Sequence, residues 1–143
     1  MALQIPVASL VNTVDSRYYA PTYTNASITL DRYYPPAAKL VASRQWNWVP
    51  NNGNPASGYP ISGTSQIILS QCYQDPAVAT AIHDLLNSHY TSNSFASIIH
   101  GNGFDTVPSN YQIAITNDFL SNAKGFNLDI DNAAVCSGMV IGR

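Results

Sequence analysis

Along this chain the spacing of apolar residues changes period where one element should give way to the next. Between Gly63 and the Asp75-Pro76 pair, Ile67, Ile68 and Leu69 form a short unbroken apolar run within Gln66 to Cys72. Such a run, bounded by turn formers, predicts a strand buried on both faces. The period then becomes helical. Val78, Ile82, Leu85 and Leu86 recur at i, i+4, i+7 and i+8, so a helix continues to about Tyr90 with one apolar stripe that needs a sheet to cover. Asp75 suits the N-cap of that helix, and Pro76 gives up only a donor that the first turn leaves unpaired.

The flanking segments are shorter. Ile5 to Val11 is apolar enough for a strand or short helix, with Pro6 restricting it to an edge or an element start. Ser27 to Leu30 alternates as a strand does, and Ala37 to Gln45 suits a short helix begun by Pro36. Trp46-Asn47-Trp48-Val49 alternates again, placing two indoles on one side of a strand. Asn51 to Gly58 is a polar, Gly- and Pro-containing linker. Beyond the central helix, Ser92-Asn93-Ser94 caps a helix carrying Phe95, Ile98 and Ile99 that Gly101 or Gly103 ends. Phe104 to Val107 is brief and extended. Pro108-Ser109 opens a last helix with Tyr111, Ile115 and Phe119 on its buried side and Lys124-Gly125 at its close. Phe126 to Asp131 alternates as a strand with one wet face. The sum is an α/β chain: a small mixed sheet flanked by helices.

Charged residues make up 10% of the 143, Glu is absent, and Asn, Ser, Thr and Tyr carry the polar surface. Typical chains are about a quarter charged, so this composition leans toward a secreted or periplasmic protein. The net charge is −2 and the six Lys and Arg residues are scattered, which argues against nucleic acid or an anionic membrane surface as partner. No stretch reaches the ~18 apolar residues of a membrane span. Met1 to Pro6 has no basic region and no long apolar core, so no signal peptide is expected there. The tyrosines at 18, 19, 23, 33 and 34 offer a recognition surface, with packing against a neighbouring lobe as the plainer reading.

Cys72 and Cys136 are the two cysteines, and neither has metal-ligand spacing around it. A disulfide is the leading reading; it would close about 64 residues, contribute about 4 kcal/mol, and require an oxidising compartment. Two separate buried thiols are the alternative. His83, His89 and His100 have spacings of 6 and 11, unlike the i, i+4 pair of a helical zinc site, so no metal site is expected. Asp129-x-Asp131-Asn132 lacks the Gly and closing Glu of a calcium loop. There is no Gly-x-Ser-x-Gly elbow for nucleophilic catalysis. Asn25-Ala26-Ser27 is a formal glycosylation sequon.

Tyr59-Pro60-Ile61, the strand ending Ser70-Gln71-Cys72-Tyr73, the Asp75-Pro76 helix and the late Val135-Cys136-Ser137-Gly138 with Gly142-Arg143 resemble the C-terminal part of the periplasmic phosphate-binding proteins, in particular the branch that includes the DING proteins. The likeness runs through about the last 85 residues and more loosely through the first 58 or so. It implies a partial type II periplasmic-binding-protein fold. Residues 1–58 would be a remnant of the second lobe with 51–58 as hinge linker, and 59–143 the C-terminal part of the first lobe. It implies phosphate capture between two lobes for ABC transport, and hence as partners inorganic phosphate, the missing N-terminal half or a second copy, and a transporter permease. An export signal would lie upstream.

The resemblance also draws attention to Ser62-Gly63-Thr64, because in that family a Ser-Gly-Thr triplet at a helix N-terminus cradles the anion. Here the triplet precedes the predicted strand, so a turn is the plainer reading, and the family's remaining anion ligands have no counterparts in these residues. No cofactor is implied and no catalytic residue is expected. The rivals are a DING-type phosphatase-related protein and a stand-alone interaction module without ligand.

Overall fold

The computed structural model describes residues 7–51 and 53–138. The early residues Ile5 and Pro6, linker residue Asn52, and the terminal Gly142-Arg143 pair lie outside the described residues. The chain is a mixed α/β arrangement of a two-stranded sheet and helices. Strands β1 (Leu10–Asn12) and β2 (Arg17–Tyr19) form an antiparallel hairpin pairing Leu10 with Tyr19, Val11 with Tyr18 and Asn12 with Arg17. Asp15 shapes its turn, accepting from the Arg17 N–H at 3.0 Å and the Tyr19 hydroxyl at 2.6 Å. That hydroxyl is the main reason the Asp15 carboxyl lies below its ordinary range.

Asn12 is the buried anchor of this end. Its Nδ2 donates to the carbonyls of Pro55 and Gly58, at 2.9 and 3.1 Å, and its Oδ1 accepts from the Val14 N–H at 2.9 Å. The polar 51–58 linker is thereby fastened to the hairpin. Gly58 has φ +90°, and a Cβ there would stand 2.6 Å from the Asn25 carbonyl, a position that only glycine fills without a shift.

Helix α1 (Tyr23–Ser27) runs on into a 3₁₀ turn over Ile28–Leu30. The strand expected at Ser27 to Leu30 is therefore not formed. Thr22 caps α1 by accepting from the Asn25 N–H, and the Thr29 hydroxyl donates back to the Ala26 carbonyl at 2.7 Å, so local bonds override the alternation. Likewise α2 is confined to Lys39–Ala42, and the two tryptophans sit on a 3₁₀ turn, Gln45–Trp48, in place of the expected strand. The Trp48 indole donates to the Ala42 carbonyl at 2.8 Å and packs against Phe119, while Trp46 is 63% exposed.

The central helix forms as its caps require. In α3 (Pro76–Thr91) the Asp75 carboxylate accepts from the Ala77 N–H at 2.8 Å, and Ala79 and Leu86 are buried. Helix α4 (Asn93–Gly101) follows, its end closed by Gly103 at φ +79° and by the Phe104 N–H donating to the Ile99 carbonyl. Helix α5 (Ser109–Ile115) buries Tyr111, Ala114 and Ile115, then widens into a π turn over Thr116–Leu120. That widening carries Asp118 inward. Lys124 reaches back to it, 3.0 Å from Oδ1 and donating to Oδ2 at 3.1 Å, instead of capping the helix end.

The segment 126–131 is a folded turn rather than a strand. Asn127 and Asp131 both have positive φ, which breaks the extended path. Gln71 holds the turn from outside: its Nε2 donates to the Asn127 and Asp129 carbonyls, and its own carbonyl accepts from the Asp131 N–H at 2.7 Å. Asn132 then caps a short helix the sequence pattern did not announce, α6 (Ala133–Cys136). Cys136 is bonded to Cys72 with the two Cα atoms 5.3 Å apart, as the leading reading of the cysteines expects.

The largest departure concerns Gln66 to Cys72. The segment takes no regular secondary structure and pairs with no strand among the described residues, and Ile67, Ile68 and Leu69 are 49%, 90% and 36% exposed. The expected strand buried on both faces is thus not formed. The physical reason is the lack of a partner: a strand satisfies its backbone groups only beside another strand, and the β1–β2 hairpin is not placed there.

Candidate functional site

The Ser62-Gly63-Thr64 triplet lies in a turn that leads into this open segment, well ahead of the first residue of α3. Ser62 Oγ donates to the Tyr59 carbonyl at 2.7 Å, and the Thr64 oxygens accept from the Gln66 side-chain amide at 3.0 and 3.1 Å. Gly63 faces open space. Both hydroxyls are thus engaged locally, and no cation is bonded to either residue among the described residues. The turn lies well ahead of the α3 N-terminus, so no helix dipole points at it.

A cleft of about 560 Å³ runs beneath residues 64–71, its other walls coming from the Trp46 to Pro50 turn, α3 (Leu86, Tyr90), α5 (Tyr111, Ile115) and the 128–130 turn. No Asp, Lys, Arg or His lines it. Burial pushes the Tyr90 hydroxyl above the ordinary tyrosine range, and burial with Tyr33 nearby does the same at Tyr111, so the wall stays neutral. Desolvating an oxyanion against such a surface costs several kcal/mol without compensation. This cleft is shaped for apolar side chains and backbone, not for phosphate.

The ionisable side chains form isolated pairs elsewhere. His100 Nε2 is 2.7 Å from Asp105 Oδ1, and the Tyr23 ring stacks on the imidazole with centroids 4.4 Å apart. His83 bridges Asp84 and the Leu120 carbonyl, tying α3 to the π turn. His89, on the same helix, sits edge-on to Tyr90 and Phe95, and burial lowers its pKa. The three histidines do not converge, and no group of three metal-ligating side chains occurs among the described residues. Asp129 accepts from the Asn132 amide at 2.7 Å, a structural role in the turn. Of the expected site residues, only Cys72 and Cys136 are brought together. Sequence reasoning missed the Gln71 clamp, the Asp118–Lys124 pair and the His100–Asp105–Tyr23 cluster; none has a spacing signature, and only the adjacency of Gln71 to Cys72 hinted at its position.

These features describe an α/β chain with an unpaired segment at 66–72, a neutral cleft and a disulfide that ties that segment's end to the last short helix. No family model matches the chain. It is 32% identical over 117 residues to alkaline phosphatase L of Pseudomonas aeruginosa, covering 82% of this chain and 32% of that protein. It is 38% identical over 85 residues to a phosphate-binding protein of an unknown prokaryotic organism, covering 59% of this chain and 22% of that one.

Two solved structures agree in fold. An ancestral soluble variant of the human phosphate-binding protein superposes with a TM-score of 0.75 at 33% identity, over 88% of this chain and 35% of that one. A high-affinity periplasmic phosphate-binding protein of the DING type, solved with phosphate, gives 0.73 at 32% identity, over 90% of this chain and 36% of its own. The chain is homologous to the phosphate-binding proteins that include the DING proteins, and it spans about a third of the length of the relatives it matches.

Proposed function

We propose that these residues form the C-terminal portion of an exported phosphate-binding solute receptor, contributing scaffold and hinge to phosphate capture for ABC transport. In this reading residues 59–143 belong to the first lobe, 1–58 to the second, and 51–58 to the hinge. The observation that carries it is the joint one: high fold similarity over nearly the whole chain, but over only a third of phosphate-binding relatives. The locally satisfied hydroxyls of Ser62 and Thr64 and the uncharged cleft support a scaffold role, with the anion's ligands lying elsewhere in the complete receptor. The Cys72–Cys136 bond supports a periplasmic or secreted location, since such bonds persist in oxidising compartments. Calorimetric titration of inorganic phosphate into the isolated chain is the test. No binding near micromolar concentration is expected, and a micromolar Kd would overturn the assignment.

A second reading is favoured by the name of the Pseudomonas aeruginosa relative, alkaline phosphatase L. The His100–Asp105 pair, the shorter of the two His–Asp contacts among the described residues, is where hydrolytic chemistry would be sought. No hydroxyl or thiol is hydrogen-bonded to either His83 or His100 among the described residues, so the arrangement of nucleophile, base and orienting group is incomplete. A phosphomonoester assay on a full-length receptor carrying His100→Gln separates the readings. Unchanged phosphate binding with no hydrolysis in either form supports the receptor; hydrolysis lost in the variant supports the phosphatase.

A further inference from the structure

The sequence holds two Asn-Gly pairs, Asn52-Gly53 and Asn102-Gly103, and the second lies wholly within the described residues. Every other asparagine there is followed by a residue with a side chain. The difference is chemical. Asparagine is among the thermolabile side chains, because the backbone nitrogen that follows it can reach its own side-chain carbonyl carbon. A Cβ on the next residue obstructs that approach, and glycine has none.

Asn102 is the C-cap of α4, with φ −103° and ψ 11°, and Gly103 follows at φ +79°. Both residues are exposed, and nothing stands within 4 Å of where a Gly103 Cβ would be. Two bonds hold the pair in its resting shape. The Asn102 side-chain amide donates to the Ile98 carbonyl at 2.9 Å, and the Gly103 N–H donates to the His100 carbonyl at 3.0 Å. Both sit at the end of a nine-residue helix, where fraying costs least.

We infer that Asn102-Gly103 is a self-modification site, an asparagine converted to aspartate or isoaspartate by its own backbone when the end of α4 frays. Hydroxide removes the Gly103 N–H proton, and the freed electron pair on nitrogen attacks Asn102 Cγ. A bond forms from that nitrogen to Cγ, the Cγ–Nδ2 bond breaks, and ammonia leaves with a proton taken from water. A second water opens the cyclic imide. Cleavage at Cγ gives an aspartate, and cleavage at the backbone carbonyl carbon gives an isoaspartyl link through the side chain. The net exchange is water in and ammonia out.

The product cannot keep the cap. A carboxylate has no proton to donate to the Ile98 carbonyl, and it adds negative charge at the helix end whose dipole is already negative. The isoaspartyl form also lengthens the main chain, which takes the Gly103 and Phe104 N–H groups out of register with the His100 and Ile99 carbonyls. His100 lies on this last turn, stacked on Tyr23 of α1 and 2.7 Å from Asp105. Conversion therefore loosens a contact through which α4 meets α1.

Peptide mapping by mass spectrometry tests this on the folded chain and on Asn102→Gln, both aged at mildly alkaline pH. Peptides containing Asn102 should gain the mass that separates an acid from an amide and split into two chromatographic forms. They should do so at least about tenfold faster than peptides containing Asn122-Ala123, an exposed pair with a Cβ in the way, a ratio equivalent to about 1.4 kcal/mol of barrier. The variant, whose longer side chain closes a larger ring, should stay an amide at 102. Hydrogen exchange at the 103–104 amides should quicken on ageing in the parent and stay constant in the variant. Conversion of Asn122 as fast as Asn102 would overturn the assignment. So would an Asn102 that stays an amide in the folded chain while the urea-unfolded chain converts, or an aged, converted parent with unchanged exchange at 103–104.

Discussion

Removing the Cys72–Cys136 bond should cost this fold more than any single side-chain contact. The bridge closes 64 residues, and the chain-entropy relation gives about 4 kcal/mol for a loop of that size. Its position makes that figure consequential. It joins the end of an unpaired segment to α6, and the neighbouring Gln71 bonds to Asn127, Asp129 and Asp131 depend on the two segments staying in register. Few large apolar side chains are fully buried in the described core, where Leu30, Leu86, Tyr111 and Ile115 sit beside three alanines. A single domain holds about 5–15 kcal/mol in total, so a loss of about 4 takes a large share. The assay is urea denaturation followed by far-UV circular dichroism, on the oxidised protein, the reduced protein and the Cys72→Ala/Cys136→Ala double variant. Reduced and double-variant proteins should agree with each other and show midpoints lowered by the equivalent of about 4 kcal/mol, with a steeper denaturant dependence because the unlinked chain exposes more surface. A loss below about 1 kcal/mol in both would refute the reasoning.

Lys124→Met strands the buried Asp118 carboxylate, whose partner is 3.0 Å away, and should destabilise by about 3 kcal/mol in the same titration; a near-neutral result would mean that Asp118 is satisfied otherwise. Gly58→Ala meets both a φ of +90° and a carbonyl at 2.6 Å, so a loss of about 2 kcal/mol or more is expected, whereas Gly63→Ala, facing open space, should stay within about 0.5 kcal/mol. Burial lowers the pKa of His89. The folded state therefore binds fewer protons than the unfolded state just below the ordinary histidine pKa of 6.5, and stability should fall as pH drops through that range. His89→Phe should flatten that part of the stability profile, and an unchanged acid slope would assign it to other groups.

The helices are legible in the sequence because their signals are local. Asp75 marks a start through its capping bond and Pro76 and Pro108 through fixed φ, Ser92 stands at an N-cap position without a side-chain bond, and Gly103 marks an end through its positive φ. The bridge is legible from cysteine count alone. The strands at 66–72 and 126–131 are not, for two different reasons. At 126–131 the alternation of Phe126, Leu128 and Ile130 competes with left-handed turns at Asn127 and Asp131 that Gln71 stabilises from a distant segment, which no local pattern encodes. At 66–72 the pattern is sound, but strand formation needs a neighbour that the described residues do not provide. Trp46 and Trp48 fail similarly, since the Trp48 indole finds the Ala42 carbonyl and draws the alternating segment into a turn. For the candidate site, the Ser62-Gly63-Thr64 motif is visible as letters, yet its meaning depends on a helix N-terminus that is not placed there.

Phosphate titration of the isolated chain beside a chimera, in which it replaces the matched region of the Pseudomonas aeruginosa relative, tests most directly whether this chain is receptor scaffold. The account predicts no detectable heat from the isolated chain and binding with a Kd of about micromolar or tighter from the chimera, the Ser62→Ala/Thr64→Ala variant binding as well as its parent. Equal micromolar binding by the isolated chain, abolished by that same double substitution, would contradict it and place the anion site at the 62–64 turn.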